Sequence, residues 1–138
     1  MKSYYVWAIL SAVFAGITAI LAKKGVAHVP PNLAVAIRVV VVMVFAVGIA
    51  VATRQTKLNE VDGKAWQFLV LSGLATGLSW LCYFRALSLG PVSRVAPIDK
   101  LSFVIAMVLG IFFLKEKITP SLIGGATLIV AGVLLTLR

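Results

Sequence analysis

The sequence predicts an all-α polytopic membrane protein with five transmembrane helices, and three observations carry that reading. Hydrophobic residues make up 62% of the chain, against roughly 45–50% in average soluble domains, and the mean hydropathy is +1.09. Five apolar blocks, at approximately 4–22, 32–53, 65–87, 92–114 and 119–137, each reach the ~20 helical residues that cross a bilayer core. Together they use nearly all of the 138 residues, so a single transmembrane domain over 1–138 is expected, with no room for a soluble one.

The first block follows Met1 and Lys2 and ends at Lys23 and Lys24. It is too long for the apolar core of a signal peptide and four more blocks follow, so it reads as a retained helix. Pro31, Pro91 and Pro120 open the second, fourth and fifth blocks, where a missing N–H costs nothing. Ser88, Leu89 and Gly90 alone join the third block to the fourth, which makes those two an antiparallel hairpin. Pro97 lies inside the fourth block, where it removes a backbone hydrogen bond and should kink or locally open the helix.

The net charge of +9 does not point to nucleic acid. The basic residues lie mostly between apolar blocks, where Lys and Arg reach toward lipid headgroups, so membrane lipid is the expected partner. The sequence holds no Cys/His cluster at metal spacing, no phosphate loop and no nucleophile motif. No metal, cofactor or enzymatic activity is expected. Cys82 reads as a small buried packing residue and His28 as a loop residue beside Val29 and Pro30.

At about 100° per residue, several polar side chains fall in stripes. Trp7, Ser11, Phe14 and Thr18 share one on the first helix. Ser72, Thr76, Ser79 and Tyr83 share another on the third, with Trp80 beside it. Asp99, Ser102, Ala106 and Gly110 share a face of the fourth. Small and hydroxyl residues also serve plain helix packing, but three such stripes, two of them with aromatic residues among hydroxyls, favour a shared polar cavity. On the fifth helix Ser121, Gly125 and Gly132 line up with Gly124 beside them, a close-packing surface that suits association between chains.

Charges inside the spans need a cavity or a partner, since one near the bilayer centre costs at least ~2.5–3.5 kcal/mol. Arg38 lies in the second block among Ala, Ile and Val. With five spans, Arg38 and Asp99 enter from one membrane face, so they either pair or share an aqueous vestibule; the alternative is that Arg38 reaches the headgroups. Helical phase sets Lys100 about 100° from Asp99, so the two should serve different faces. Lys115, Glu116 and Lys117 read as a solvated turn, with Glu116 tying the loop together.

Basic residues divide almost evenly between the two sides. Lys2, Arg54, Lys57, Lys64, Lys115 and Lys117 fall on one, and Lys23, Lys24, Arg85, Arg94 and Arg138 on the other, with Arg38 and Lys100 deeper. Such a weak bias allows insertion in both orientations. Two inverted copies would supply the inverted repeat around which many transporters build a midplane site.

The ordered set Phe84-Arg85-Ala86-Leu87, Gly90-Pro91-Val92-Ser93, Pro97, Leu114-Lys115-Glu116-Lys117-Ile118, and Gly125 with Gly132-Val133-Leu134 resembles one EamA domain. That domain is the repeating unit of the drug/metabolite transporter superfamily, and the resemblance runs over essentially the whole chain. It implies half of a ten-span transporter, paired as an antiparallel homodimer. It also implies secondary transport, usually export, of a small metabolite, amino acid or drug-like solute across a prokaryotic inner membrane. The related small multidrug resistance branch has heptad-spaced glycines in its last helix that resemble Gly125 and Gly132. Its membrane-embedded first-span glutamate has no counterpart here, which leaves Asp99 as the acid in a span interior.

The expected substrate-binding set is therefore Trp7, Ser11, Phe14, Arg38, Thr76, Ser79, Trp80, Tyr83 and Asp99, with Ser121, Gly125 and Gly132 at the dimer contact. Trp7, Trp80 and Tyr83 would meet the solute's apolar or cationic part, the last two by cation–π contact. Hydroxyls would orient it, and Arg38 or Asp99 would meet a charged group. The competing expectation is a non-transporting membrane subunit of a heteromeric carrier, or a small regulatory membrane protein.

Overall fold

A computed structural model describes residues 3–137, with the side chain of Ser3 left aside. Six helices account for most of it: α1 (Ser3–Val26), α2 (Pro31–Ala52), α3 (Gly63–Leu89), α4 (Val92–Asp99), α5 (Leu101–Leu114) and α6 (Pro120–Thr136). Among the described residues, Tyr4–Val26, Pro31–Ala52, Gly63–Leu89 and the α4–α5 stretch Val92–Leu114 are long and apolar enough to cross a membrane. The last helix, α6, has 17 residues, about 25 Å at 1.5 Å per residue, near the short end of spanning lengths. An all-helical solution is what hydrocarbon demands, because every backbone polar group must be satisfied within its own segment. The chain divides into two compact units, one up to Leu89 and one from Gly90 onward.

In the first unit α1, α2 and α3 pack on one another. The four residues after Val26 turn the chain so that α2 runs back along α1. Pro31 takes the first helical position of α2 after Pro30, whose φ of −56° and ψ of 140° are extended, and the Ala34 amide closes onto the Pro30 carbonyl at 3.0 Å. At the far end of α2, Arg54 adopts a left-handed φ of 56°. The Gln55 amide then reaches the Ala50 carbonyl at 2.8 Å and the Arg54 amide that of Val51 at 3.0 Å, the paired closure that satisfies the last carbonyls of a helix. A 3₁₀ turn over Leu58–Glu60 follows, stiffened by an exposed Lys57–Glu60 ion pair at 2.7 Å.

The buried residues of this unit lie at one end. They are Ala19 and Val26 of α1, Ala34 and Val35 of α2, and Phe84 and Leu87 of α3. All six sit where α1 ends, α2 begins and α3 ends. Lys23 of α1 donates its ammonium to the Leu87 carbonyl at 2.5 Å. A carbonyl of the last turn of α3 is thus satisfied from a neighbouring helix, with a positive charge at a helix C-terminus. Toward the opposite end the helices carry exposed Trp7, Phe45 and Phe68.

In the second unit α4, α5 and α6 pack on one another. Pro97 has no N–H and stands within α4, and the helix stops two residues later at Asp99 and restarts at Leu101. Across the junction the Lys100 amide bonds to the Pro97 carbonyl at 3.0 Å, three residues back instead of four. The expected disturbance from Pro97 is therefore a tightened joint at Lys100. Thr119 caps α6 by accepting from the Leu122 amide at 3.3 Å, with Pro120 in the first helical position. Between α5 and α6 Lys115 takes a left-handed φ of 53°, and Glu116 folds back so that a Cβ on buried Gly110 would lie 2.9 Å from its carboxylate. The loop itself is closed by the Glu116 amide, which donates to the Gly110 carbonyl at 3.3 Å. Cys82, expected to be buried, is exposed.

Leu87 is 0% exposed, whereas Leu78 on the same helix is 66% exposed. Leu87→Ala should lower the unfolding free energy in mixed micelles by about 2–5 kcal/mol, the range for truncating a packed core leucine. Leu78→Ala should cost well under half as much. Equal losses would show that the buried end is not where α1, α2 and α3 are held together.

Candidate functional site

The site grows from the packed end of the first unit by one helical turn. Ala34 and Val35 are buried in the first turns of α2, which packs on α1 and α3. Arg38, three to four positions on, continues their face of α2. On α3, which runs the other way, the residue one turn from Phe84 is Trp80. The two positions meet: the Arg38 guanidinium lies over the Trp80 ring, 4.3 Å from its centroid, and 5.5 Å from that of Phe84. The side chain is half-buried between helices. Its place roughly 10 Å along α2 from Pro31 follows from the helical rise.

Beside Arg38 is a cavity of about 480 Å³. Its walls come from Thr18, Leu21 and Gly25 of α1, Ile37 and Arg38 of α2, and Phe84 of α3. The lining is apolar apart from Arg38 and the Thr18 hydroxyl. Small-molecule pockets occupy roughly 300–1,000 Å³ with an apolar lining and a few placed polar groups, and this one falls within that description.

Of the residues singled out from sequence, Arg38 and Trp80 are in direct contact. Thr18, from the first-helix stripe, lines the cavity. Tyr83 is half-buried, edge-on to Phe84 with centroids 6.4 Å apart. Trp7, Ser11 and Phe14 lie toward the other end of α1, exposed. Thr76 is exposed and donates to the Ser72 carbonyl at 2.8 Å, a bond to its own helix; Ser79 is exposed. Phe84, Leu21, Gly25 and Ile37 were not singled out as site residues. The aromatic position four residues after Trp80 was the available signal for Phe84, whereas the aliphatic lining carries none.

In the second unit Asp99 is held by its neighbour, with Lys100 Nζ 3.3 Å from Oδ2. The 100° separation expected between them assumes a continuous helix, and the joint at Lys100 removes that assumption. The Lys100 ammonium also lies 5.3 Å from the Phe103 ring centroid. On α6 the Ser121 hydroxyl is 3.1 Å from that of Thr119, and a Cβ on Gly124, Gly125 or Gly132 would meet nothing within 4 Å. Gly132 also borders a shallow groove with Pro97 and Lys100.

The helices and their composition define the class first: a multi-pass helical membrane protein. Its sequence matches the EamA-like transporter family over residues 2–138, and the chain belongs to that family. It is 50% identical over 135 residues, 97% of this chain and 96% of the relative, to a Sinorhizobium sp. protein called "Uncharacterized transporter in cobO 3'region". No solved structure matches it.

The Arg38–Trp80 contact should be measurable as a coupling. In a double-mutant cycle with Arg38→Met and Trp80→Leu, the interaction free energy in unfolding should be about 0.5–2 kcal/mol, the range for a cation on an indole face away from water. Strict additivity would place the guanidinium elsewhere.

Proposed function

We propose that the protein is a secondary transporter that works as a homodimer by alternating access and exports a small metabolite, amino acid or drug-like solute across a prokaryotic inner membrane. The observation that carries this reading is the apolar cavity with Arg38 at its side, set against Trp80 and Phe84. A lipid-facing arginine would have no reason to be seated between helices, and intramembrane charges mark solute or ion pathways. Membership of a transporter family supports the same reading.

Further features fit the mechanism. The joint at Lys100 gives the fourth span a place to bend, with Asp99 beside it to meet a proton or a solute charge. The open face of Gly125 and Gly132 leaves room for a second copy to approach closely. Two inverted copies would complete a pathway to which Trp7, Ser11, Phe14, Thr76, Ser79 and Tyr83 contribute outside the cavity itself.

The test is solute flux by the purified protein alone in liposomes, screened over amino acids, organic acids and amines. Flux should appear and fall about tenfold or more in Arg38→Gln, the scale of one lost charge-assisted hydrogen bond. No flux alone, with activity restored beside a second gene product, would favour the membrane-subunit reading. A C-terminal reporter should be found on both sides of the membrane; a reporter confined to one side would exclude inverted copies.

A further inference from the structure

We infer that the cavity beside Arg38 takes an amphipathic anion, a carboxylate or phosphate on a short apolar body, and not an organic cation. The inference rests on the transport reading for its purpose, but its argument is the electrostatics of one site.

Three observations combine. First, the cation of this site is already in place. An arginine side chain is not deprotonated in proteins, and Arg38 lines the cavity. A cationic solute entering there would be repelled at close range in a medium of low dielectric.

Second, the aromatic faces that would attract a cation are occupied from within. The Trp80 ring has the Arg38 guanidinium at 4.3 Å, and Phe84 has it at 5.5 Å. Trp80 is thereby a seat for Arg38, not a receptor for a solute's ammonium group.

Third, the first unit offers no acid at this level. The chain has four Asp and Glu residues in all, and α1, α2 and α3 contain none of them. Glu60 and Asp62 both lie on the loop between α2 and α3, beyond the C-terminal end of α2 and far from Arg38, and Glu60 is engaged by Lys57 at 2.7 Å. Contact with a ring face uses the guanidinium's charge and not its N–H groups, and the titratable neighbour acting on Arg38 is the Tyr83 phenol. Those N–H groups suit a planar carboxylate or a phosphate in two-point contact. Leu21, Ile37 and Phe84 would cover the apolar body, and the Thr18 hydroxyl is the further polar group in the lining.

The same chemistry is present in a free organic acid and in an anionic lipid, so the experiment separates them. Full-length protein in phosphatidylcholine nanodiscs is titrated calorimetrically with phenylacetate, its neutral amide phenylacetamide, and phenethylamine. Phenylacetate should bind about tenfold or more tightly than the amide, as one charge-assisted contact requires, and phenethylamine should bind least. Arg38→Gln should erase the preference for the acid and Arg38→Lys should retain part of it. Helical content by circular dichroism checks that each variant is folded, and the acid–amide comparison on the unaltered protein needs no variant. Repeating the titration with phosphatidylglycerol in the discs identifies the source. Arg38-dependent loss of phenylacetate binding there would make a lipid anion the occupant, within the same chemistry. Undiminished binding would make it a free acid. Equal binding of acid and amide, or tighter binding of the amine, would overturn the inference. Because binding is read without flux, that failure would leave the transport reading standing, and absence of flux would leave this result untouched.

Discussion

A single guanidinium inside three apolar helices constrains the arrangement of the first unit. A lipid-facing charge costs at least ~2.5–3.5 kcal/mol at the bilayer centre, and Arg38 lies within the span, roughly 10 Å along α2 from Pro31. A cation on aromatic faces recovers about 0.5–2 kcal/mol depending on how far it is desolvated, which offsets part of that cost. The seat works only if α2 and α3 keep one register, Arg38 opposite Trp80 and one turn from Phe84. That register is set by the buried end, where Ala34, Val35, Phe84 and Leu87 interlock and Lys23 caps the last turn of α3. Packing at one end therefore positions charge one turn inward, and the space left between α1 and α2 at that level is the cavity.

The second unit follows a different rule. Its governing feature is a backbone defect: Pro97 removes an amide, and the chain answers with a short-ranged bond and a joint at Lys100. Asp99 and Lys100 sit at that joint and neutralise each other at 3.3 Å. At the other end of α5 the Glu116 amide bonds back to the Gly110 carbonyl at 3.3 Å, which gives that helix a defined end.

How legible this was in the sequence depends on the range of the interaction. Local signals were sufficient for the helical class. Apolar length gave the membrane-crossing helices, and Pro31 and Pro120 stand in first helical positions. Arg38 and Trp80 were each marked as notable, but from separate helices and for separate reasons. Their contact depends on the register between α2 and α3, which helical phase within one segment does not contain. The Asp99–Lys100 pair was hidden because phase counting assumes an unbroken helix. Cys82, read as buried from its apolar neighbours, is exposed because a membrane helix is apolar on faces that pack and on faces that do not. The aliphatic lining of the cavity was invisible for the same reason, since Leu21 and Ile37 resemble every other Leu and Ile around them.

In the proposed function Arg38 lines a space that solute can reach instead of facing lipid. The direct measurement is labelling of single cysteines, in a Cys82→Ser background, by a membrane-impermeant thiol reagent applied to each side of intact membranes. Thr18→Cys, on the cavity wall, should be labelled from at least one side. Val40→Cys, an exposed aliphatic position two residues beyond Arg38 that does not line the cavity, should stay unlabelled from both. Labelling of Val40→Cys with Thr18→Cys protected would contradict the account, because water would then reach the wrong face of α2.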